Sequence, residues 1–555
     1  MTESHGQENL ETKRDQSIST AREPRRRIRW MSAFVIVLIT IVAVVLVRLA
    51  FRDNNANKFL GTSAVCGLGL VALAAWLLLG SGLRARVRLI LAGVGVALIA
   101  VAYFGSPLVI RVEGVSGDIR PIVRWRWSTG AEPLPVGDVT AEDTAELKTV
   151  LADIVATHED PRHFPQFLGP RRHPVVAGVR LARDWQASPP REIWRQPIGA
   201  GHSAFAVVGD AAITQEQRGE SQLVVCYGLR TGDVRWSHTD AEAYESFLGG
   251  PGPRATPTID RGRVFTLNAT GRLNCLDAAT GEPLWPARDT LEDAGANNLE
   301  WGKSNSPLLV DDLVVCTGGA DGSSLIAYRQ DTGEIAWQAG DDKASYSSPT
   351  LATLAGRRQV LIVNAHSVAG HDPTDGRRLW QYQWPGAHPK ASQPLPLPND
   401  RLFVTAGYGV GCVMLRLNTD ADGQITAEEL WANRNMKCKF SNLAVLDGYA
   451  YGLDDGIMAC IDLETGSRPW KRGRFGHGQV LLVGDTLLVL SEDGQLVMLD
   501  ATAEGYRELG RIQAVEGKTW NNPALAGRFL LLRNSKEAVC YELTLADDSS
   551  ASDSP

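Results

Sequence analysis

An eight-bladed all-β propeller preceded by three transmembrane α-helices is the fold this sequence predicts. Three observations carry it: a repeated tryptophan frame, a matching segment that closes the repeat array on itself, and three apolar stretches near the N-terminus. Six segments end on tryptophan in one frame, at Trp236, Trp285, Trp337, Trp380, Trp431 and Trp470. Their spacings of 49, 52, 43, 51 and 39 residues are the period of a propeller blade. In the fullest copies an apolar strand runs into Asp-x-x-Thr-Gly, where glycine supplies the positive φ of a tight turn, and a second strand ends on the tryptophan. No such unit can bury both faces of its small sheet alone, so the copies must stack.

Blade-length units lie at about 200–238, 250–287, 302–339, 345–383, 390–433, 438–472, 476–511 and 517–545. The last has apolar runs at Arg528–Asn534 and Ala538–Leu543 but no terminal tryptophan. Its missing strand stands at the other end, where Glu192–Ile198 carries Trp194, 42 residues before Trp236. That strand would join the two ends of the domain and leave no open edge. A seven-bladed ring is the rival count, should 476–511 or the last unit not be a true blade.

Upstream, residues 1–30 form a basic arm, and 31–110 hold apolar stretches at Met31–Val47, Phe59–Gly80 and Leu89–Phe104. The first two approach the roughly 20 residues that span a bilayer, and the third reaches that length through Ile110. Arginines in the arm and at 84, 86 and 88 place those loops in the cytoplasm. Three spans then put the propeller outside it, in the periplasm of a bacterium with the anchor in the inner membrane. Residues 111–190 read as a linker. Within it lie short strands around Trp125 and Trp127, a helix over Thr140–Thr157, and an extended lead-in from Pro161 to Pro190. The propeller itself is assigned to 191–545, and 546–555 reads as a disordered tail. With 56 Lys and Arg against 63 Asp and Glu, the chain has a net charge of −7, and no basic field argues for nucleic acid.

The repeat (apolar)-x-(Ala/Cys)-x-Asp-x-x-Thr-Gly-x-x-x-Trp, clearest at Cys275–Trp285 and Cys460–Trp470, resembles the pyrroloquinoline quinone (PQQ)-like repeat family. That family includes quinoprotein dehydrogenases and a cofactor-free outer-membrane assembly factor. The resemblance covers about 190–545 and implies the quinoprotein dehydrogenase-like propeller fold, not an activity. It implies two functions from different classes. The first is a membrane-tethered binding or assembly scaffold with a protein partner or a small anionic ligand and no resident cofactor. The alternative is a PQQ-dependent dehydrogenase passing electrons to membrane quinone, which is disfavoured because the blades lack long inter-blade excursions. None of the eight cysteines adjoins another, which also weakens the cofactor reading. Cys226, Cys275, Cys460 and Cys540 occupy a small-residue slot of the blade and are expected as buried thiols. No catalytic residue is assigned.

Two constellations remain. Asn418, Asp420, Asp422, Gln424, Thr426 and Glu429 stand at the oxygen-donor positions of a twelve-residue calcium loop, with Gly423 at its sharp turn. The bland reading of the same residues is a long acidic hairpin tip. The other constellation emerges on aligning the blades. His202, Arg254, Lys303, Tyr346, Lys390, Lys439, His477 and Trp520 all stand at the entry to an innermost strand, near the channel mouth. Cations gathered there would focus a field onto an anion, and the histidines would weaken binding as pH rises through about 6.5. Against this, a one-residue register error turns a strand side chain to the opposite face, and lysines often do no more than solvate a rim.

Overall fold

The computed structural model describes residues 30–51, 55–125, 141–384, 386 and 388–546. The basic arm, Trp127, Thr140 and the tail beyond Ala546 therefore lie outside the described residues. The chain divides into two compact units, one holding residues up to Phe51 with Leu60–Pro107, the other holding Arg52–Phe59 with Leu108 onward.

In the first unit, helix α1 spans Trp30–Ala50, α2 spans Asn55–Ala75 and continues as a π-turn over Trp76–Gly80, and α3 spans Ala85–Val109. Among the described residues two helices, Trp30–Ala50 and Asn57–Gly80, are long and apolar enough to cross a membrane. The expected third span is not among them. The third stretch is helical over 25 residues but carries Arg86 and Arg88 in its first turn, where charges at bilayer depth are costly.

The second unit is an eight-bladed propeller. Seven blades are four-stranded antiparallel sheets, and the seventh in the ring has a fifth strand. The blade count read from the tryptophan frame holds, and the ring closes as expected. Arg191–Pro197 pairs antiparallel with Glu537–Glu542, placing Trp194 opposite Cys540. Seven apolar clusters fill the seams, and the largest joins blades seven, eight and one across the closure. Arg533, fully buried, bolts the same seam. Its guanidinium donates to the Gly199 and Gln215 carbonyls, each at 2.9 Å, and to the Thr214 hydroxyl at 2.8 Å. All of the repeat cysteines are buried, free thiols.

The frame has a concrete cause. An indole N–H at the end of one blade donates to a carbonyl in the turn of the next: Trp194 to Leu229 (2.8 Å), Trp236 to Ala278 (3.1 Å), Trp285 to Gln330 (3.1 Å) and Trp470 to Thr502 (2.9 Å). The ring then lies on the turn. A Cβ on Gly281 would stand 2.4 Å from the Trp236 ring, and Gly281 has φ of 76°, so shape and backbone both require glycine there. Trp380 departs from the pattern by donating to Gln359 in its own blade, because the next blade has no Thr-Gly turn to receive it.

The linker is structured where it is described. Helix α4, Ala141–Ala152, is shorter than the expected Thr140–Thr157 and sets Leu147 and Leu151 into the seam between blades one and two. The lead-in is not simply extended. It crosses the face where the innermost strands end, bonding Phe164 to Val207 and Pro165 to Ile259. It then adds Val175–Val176 as a parallel fifth strand beside Leu482–Val483. Arg172 anchors it, 3% exposed, donating to Gln166 and to the Ser306 and Pro307 carbonyls. The channel is thereby plugged from that face.

Candidate functional site

With one face plugged, the opposite mouth is a blind cavity of about 390 Å³. Phe167 of the lead-in lines it, and so do the loops that enter the innermost strands. Its wall is largely aromatic. Trp301 stacks on Tyr346 with centroids 4.8 Å apart and meets Phe440 edge-on at 6.1 Å. Phe440 lies 5.0 Å from Trp520, which lies 5.1 Å from the His202 ring. These side chains come from five blades because each sits at the same place in its repeat.

Arg254 is the cation of this wall. Its guanidinium lies 4.7 Å over the Tyr244 ring and donates to the Gly250 carbonyl at 2.5 Å. Its Nε and Nη1 are buried and have no hydrogen-bond partner. Burial pushes its pKa down to about 10, the signature of a cation removed from water without a counter-charge. Other unsatisfied buried atoms belong to residues of the same lining: His202 Nδ1, Trp301 Nε1, Gln479 Oε1 and Asn522 Oδ1. Buried polar atoms are normally paired. Here several unpaired ones stand beside flat aromatic faces.

The structure sorts the residues expected at the mouth into three groups. His202, Arg254, Tyr346 and Trp520 line the cavity. Lys439 and His477 stand beside it, with Lys439 Nζ 5.1 Å over the Tyr408 ring and 3.4 Å from His477 Nε2. Lys303 and Lys390 are turned away from it. Lys303 is buried and caps the Thr317 and Gly318 carbonyls of its own blade, and burial pushes its pKa down to about 8. Lys390 is buried too, on the Ala365 and Gly386 carbonyls. The physical reason is the acceptors within reach: each ammonium caps two backbone carbonyls instead of facing the cavity. Trp301, Tyr408, Phe440 and Glu492 were missed. Trp301 and Phe440 stand at the same strand entries as Lys303 and Lys439, so aromatic residues could have been scored there alongside cations.

His202 also departs from expectation. Burial first, then the neighbouring Lys518 and Arg254 cations, hold its pKa well below the usual histidine value, so the ring is neutral near pH 7. Burial likewise pushes His173, in the plug, down to about 4. A histidine with a lowered folded-state pKa favours folding while neutral. Its contribution is complete above about 6.5 and is lost as pH falls from there toward 4. Thermal melts should therefore be flat from pH 8 to 7 and fall by several degrees between pH 6.5 and 4.5. In His173→Gln that slope should be shallower, and an identical slope would contradict the assignment.

The calcium-type loop forms a hairpin tip. Strands Gly411–Thr419 and Ile425–Asn433 pair up to Thr419 opposite Ile425, which sets Asn418 across from Thr426. Asp420 Oδ1 accepts the Asp422 and Gln424 amides at 3.0 and 2.8 Å, and Asn418 donates to Glu428 at 3.0 Å. Glu429 receives the Tyr382 hydroxyl of the neighbouring blade at 2.5 Å. Strand pairing thus runs through the first and ninth positions of the loop, and the described residues hold no group of three or more His, Cys, Asp or Glu placed to bind a metal ion. Melting temperatures with millimolar calcium and with chelator should be equal. A rise in calcium that Asp420→Ala with Asp422→Ala abolishes would establish the metal site.

Comparison with known proteins now adds to the geometry. The family described as "Outer membrane protein assembly factor BamB" matches residues 183–298 and 220–472, together more than half of the chain. The chain belongs to the PQQ-like β-propeller family. A curated relative, the outer membrane protein assembly factor BamB of Burkholderia pseudomallei (strain K96243), is 28% identical over 167 residues, 29% of this chain and 38% of the relative. The match thus spans little more than a third of that relative's length. Among solved structures, quinohemoprotein alcohol dehydrogenase from Comamonas testosteroni aligns with a TM-score of 0.51 at 12% identity, covering 72% of this chain and 84% of that one. BamB from Moraxella catarrhalis aligns with a TM-score of 0.47 at 15% identity, covering 64% and 97%. At such identities the likeness shows the fold alone.

Proposed function

We propose that this protein is a membrane-tethered scaffold whose propeller stands outside the cytoplasm and binds a flat carboxylate at its channel mouth. One observation carries the ligand: Arg254, buried with two unpartnered guanidinium nitrogens beside the stacked Trp301 and Tyr346 rings. A guanidinium gives charge-assisted hydrogen bonds to a carboxylate, and desolvation makes that pair strong. The relationship to an outer membrane assembly factor supports a protein partner on the rest of the propeller surface. Two apolar helices support the tether, and Ala85–Val109 is the third span this topology needs. A reporter that matures only in the cytoplasm, fused after Pro555, should stay dark; strong signal would reverse the orientation.

The second reading, a PQQ-dependent dehydrogenase, is favoured by the same aromatic mouth. PQQ would supply two-electron quinone chemistry. Arg254 would hold one of its carboxylates, and Trp301, Tyr346 and Trp520 would flank its rings. A dehydrogenase also needs a base beside the substrate. Glu492 is taken up by the Trp520 indole and the His477 and Gly117 amides, and Glu300 stands exposed at the rim. That balance favours binding over catalysis. Full-length protein in detergent should quench Trp301 and Trp520 fluorescence on adding naphthalene carboxylates. With PQQ and calcium it should reduce no dye in the presence of alcohols or sugars. Dye reduction would replace the scaffold with the dehydrogenase, and absence of quenching would remove the ligand.

A further inference from the structure

The segment that leaves α3 turns back at once as a hairpin, Ile110–Val115 pairing with Pro121–Trp125. Its tip, Ser116–Ile119, enters the channel mouth: Val115, Ser116, Gly117 and Ile119 all line the cavity. The tip is held from three blades. Glu492 Oε1 accepts the Gly117 amide at 2.5 Å, and Lys439 Nζ donates to the Gly117 carbonyl at 3.0 Å. His477 Nε2 lies 3.2 Å from the Asp118 carboxylate, and Lys518 Nζ lies 3.4 Å from the Val115 carbonyl. Fit at the contact is close enough to demand glycine. A Cβ on Gly117 would stand 2.1 Å from the His477 ring. Ile119 is held at φ of 61°, a left-handed conformation that a β-branched residue keeps only where its surroundings impose it.

We infer that this tip is an internal occupant of the mouth, and that Asp118 holds a second anion subsite, on His477 with Lys439 close by, which a ligand must win from it. The inference rests on the carboxylate-binding reading of the mouth. Two anion positions then adjoin one cavity: Arg254 in its wall, and the His477–Lys439 pair beside it behind the hairpin tip, satisfied by the chain itself. The ligand that fits both is a flat dicarboxylate, with one end on Arg254 and the other in place of Asp118.

Full-length protein and two probes test this, naphthalene-2,6-dicarboxylate and naphthalene-2-carboxylate. Asp118→Ala removes the competitor, so the dicarboxylate should bind roughly tenfold tighter while the monocarboxylate changes little. In the unmutated protein the dicarboxylate should accelerate hydrogen exchange of the Gly117 amide, and the monocarboxylate should not. Gly117→Val, which the His477 ring cannot accommodate, should show that fast exchange without any probe and match the affinity gain of Asp118→Ala. Dicarboxylate binding with unchanged Gly117 protection, or equal affinities in Asp118→Ala and unmutated protein, would overturn the competition. If neither probe binds any variant, the carboxylate reading of the mouth fails with it. Fast Gly117 exchange in Asp118→Ala would then show only that the tip is held by that carboxylate.

Discussion

Trp194→Ala should destabilise the propeller by about 3 kcal/mol, the lower part of the range for emptying a large aromatic site. Trp194 is half-buried rather than enclosed, which sets the lower figure, but it makes two contacts that nothing else replaces. Its indole donates to Leu229 at 2.8 Å, and its ring covers Gly232 in the first blade's turn. Deleting residues 191–198 should be far worse. It strips the outer strand from Glu537–Glu542 and removes the backbone leading to Gly199, whose carbonyl Arg533 needs. A buried guanidinium that loses acceptors carries a desolvation penalty without return, and the exposed edge of blade eight becomes a template for intermolecular pairing. Urea melts should show Trp194→Ala unfolding cooperatively at lower denaturant, and light scattering should show the deletion aggregating. A soluble, cooperatively folding deletion would place the closure elsewhere.

The closure was legible because it obeys the repeat. Trp194 stands one period before Trp236, and its indole lies on the glycine-bearing turn of the first blade as those of Trp236 and Trp285 lie on the turns after them, so spacing reveals both partners. The plug and the hairpin were not legible for the opposite reason. Residues 161–176 follow no period of two or 3.6. They are held instead by single long-range bonds, such as Phe164 to Val207 and Arg172 to Ser306, which leave no local mark in sequence. The channel mouth falls between these cases. Alignment of strand entries located the right loops, yet could not tell a cation that faces the cavity from one that caps carbonyls in the seam. Arg254 and Lys303 occupy equivalent entries and have opposite fates. The difference lies in whether carbonyls within reach are already paired, as those of Thr317 and Gly318 are not, beside the irregular register between Thr317 and Ala320.

That distinction yields the sharpest functional expectation. Arg254→Ala should weaken binding of a naphthalene carboxylate by about 30- to 1000-fold, the scale of 2–4 kcal/mol for removing one partner of a desolvated charge pair. Stability should hold or rise slightly, because the substitution removes a buried cation that pairs with no carboxylate among the described residues. Arg254→Lys should bind at an intermediate level, since an ammonium keeps the charge but loses the planar set of donors. Lys390→Ala should do the reverse of Arg254→Ala. It orphans the Ala365 and Gly386 carbonyls, so its melting temperature should fall by several degrees while affinity stays within about twofold. Fluorescence titration beside thermal melts of the three variants separates the two roles. If Lys390→Ala loses binding with its fold intact, the lysine reaches the ligand after all; if Arg254→Ala binds as tightly as the unmutated protein, the buried guanidinium serves only the packing of Tyr244 and Gly250.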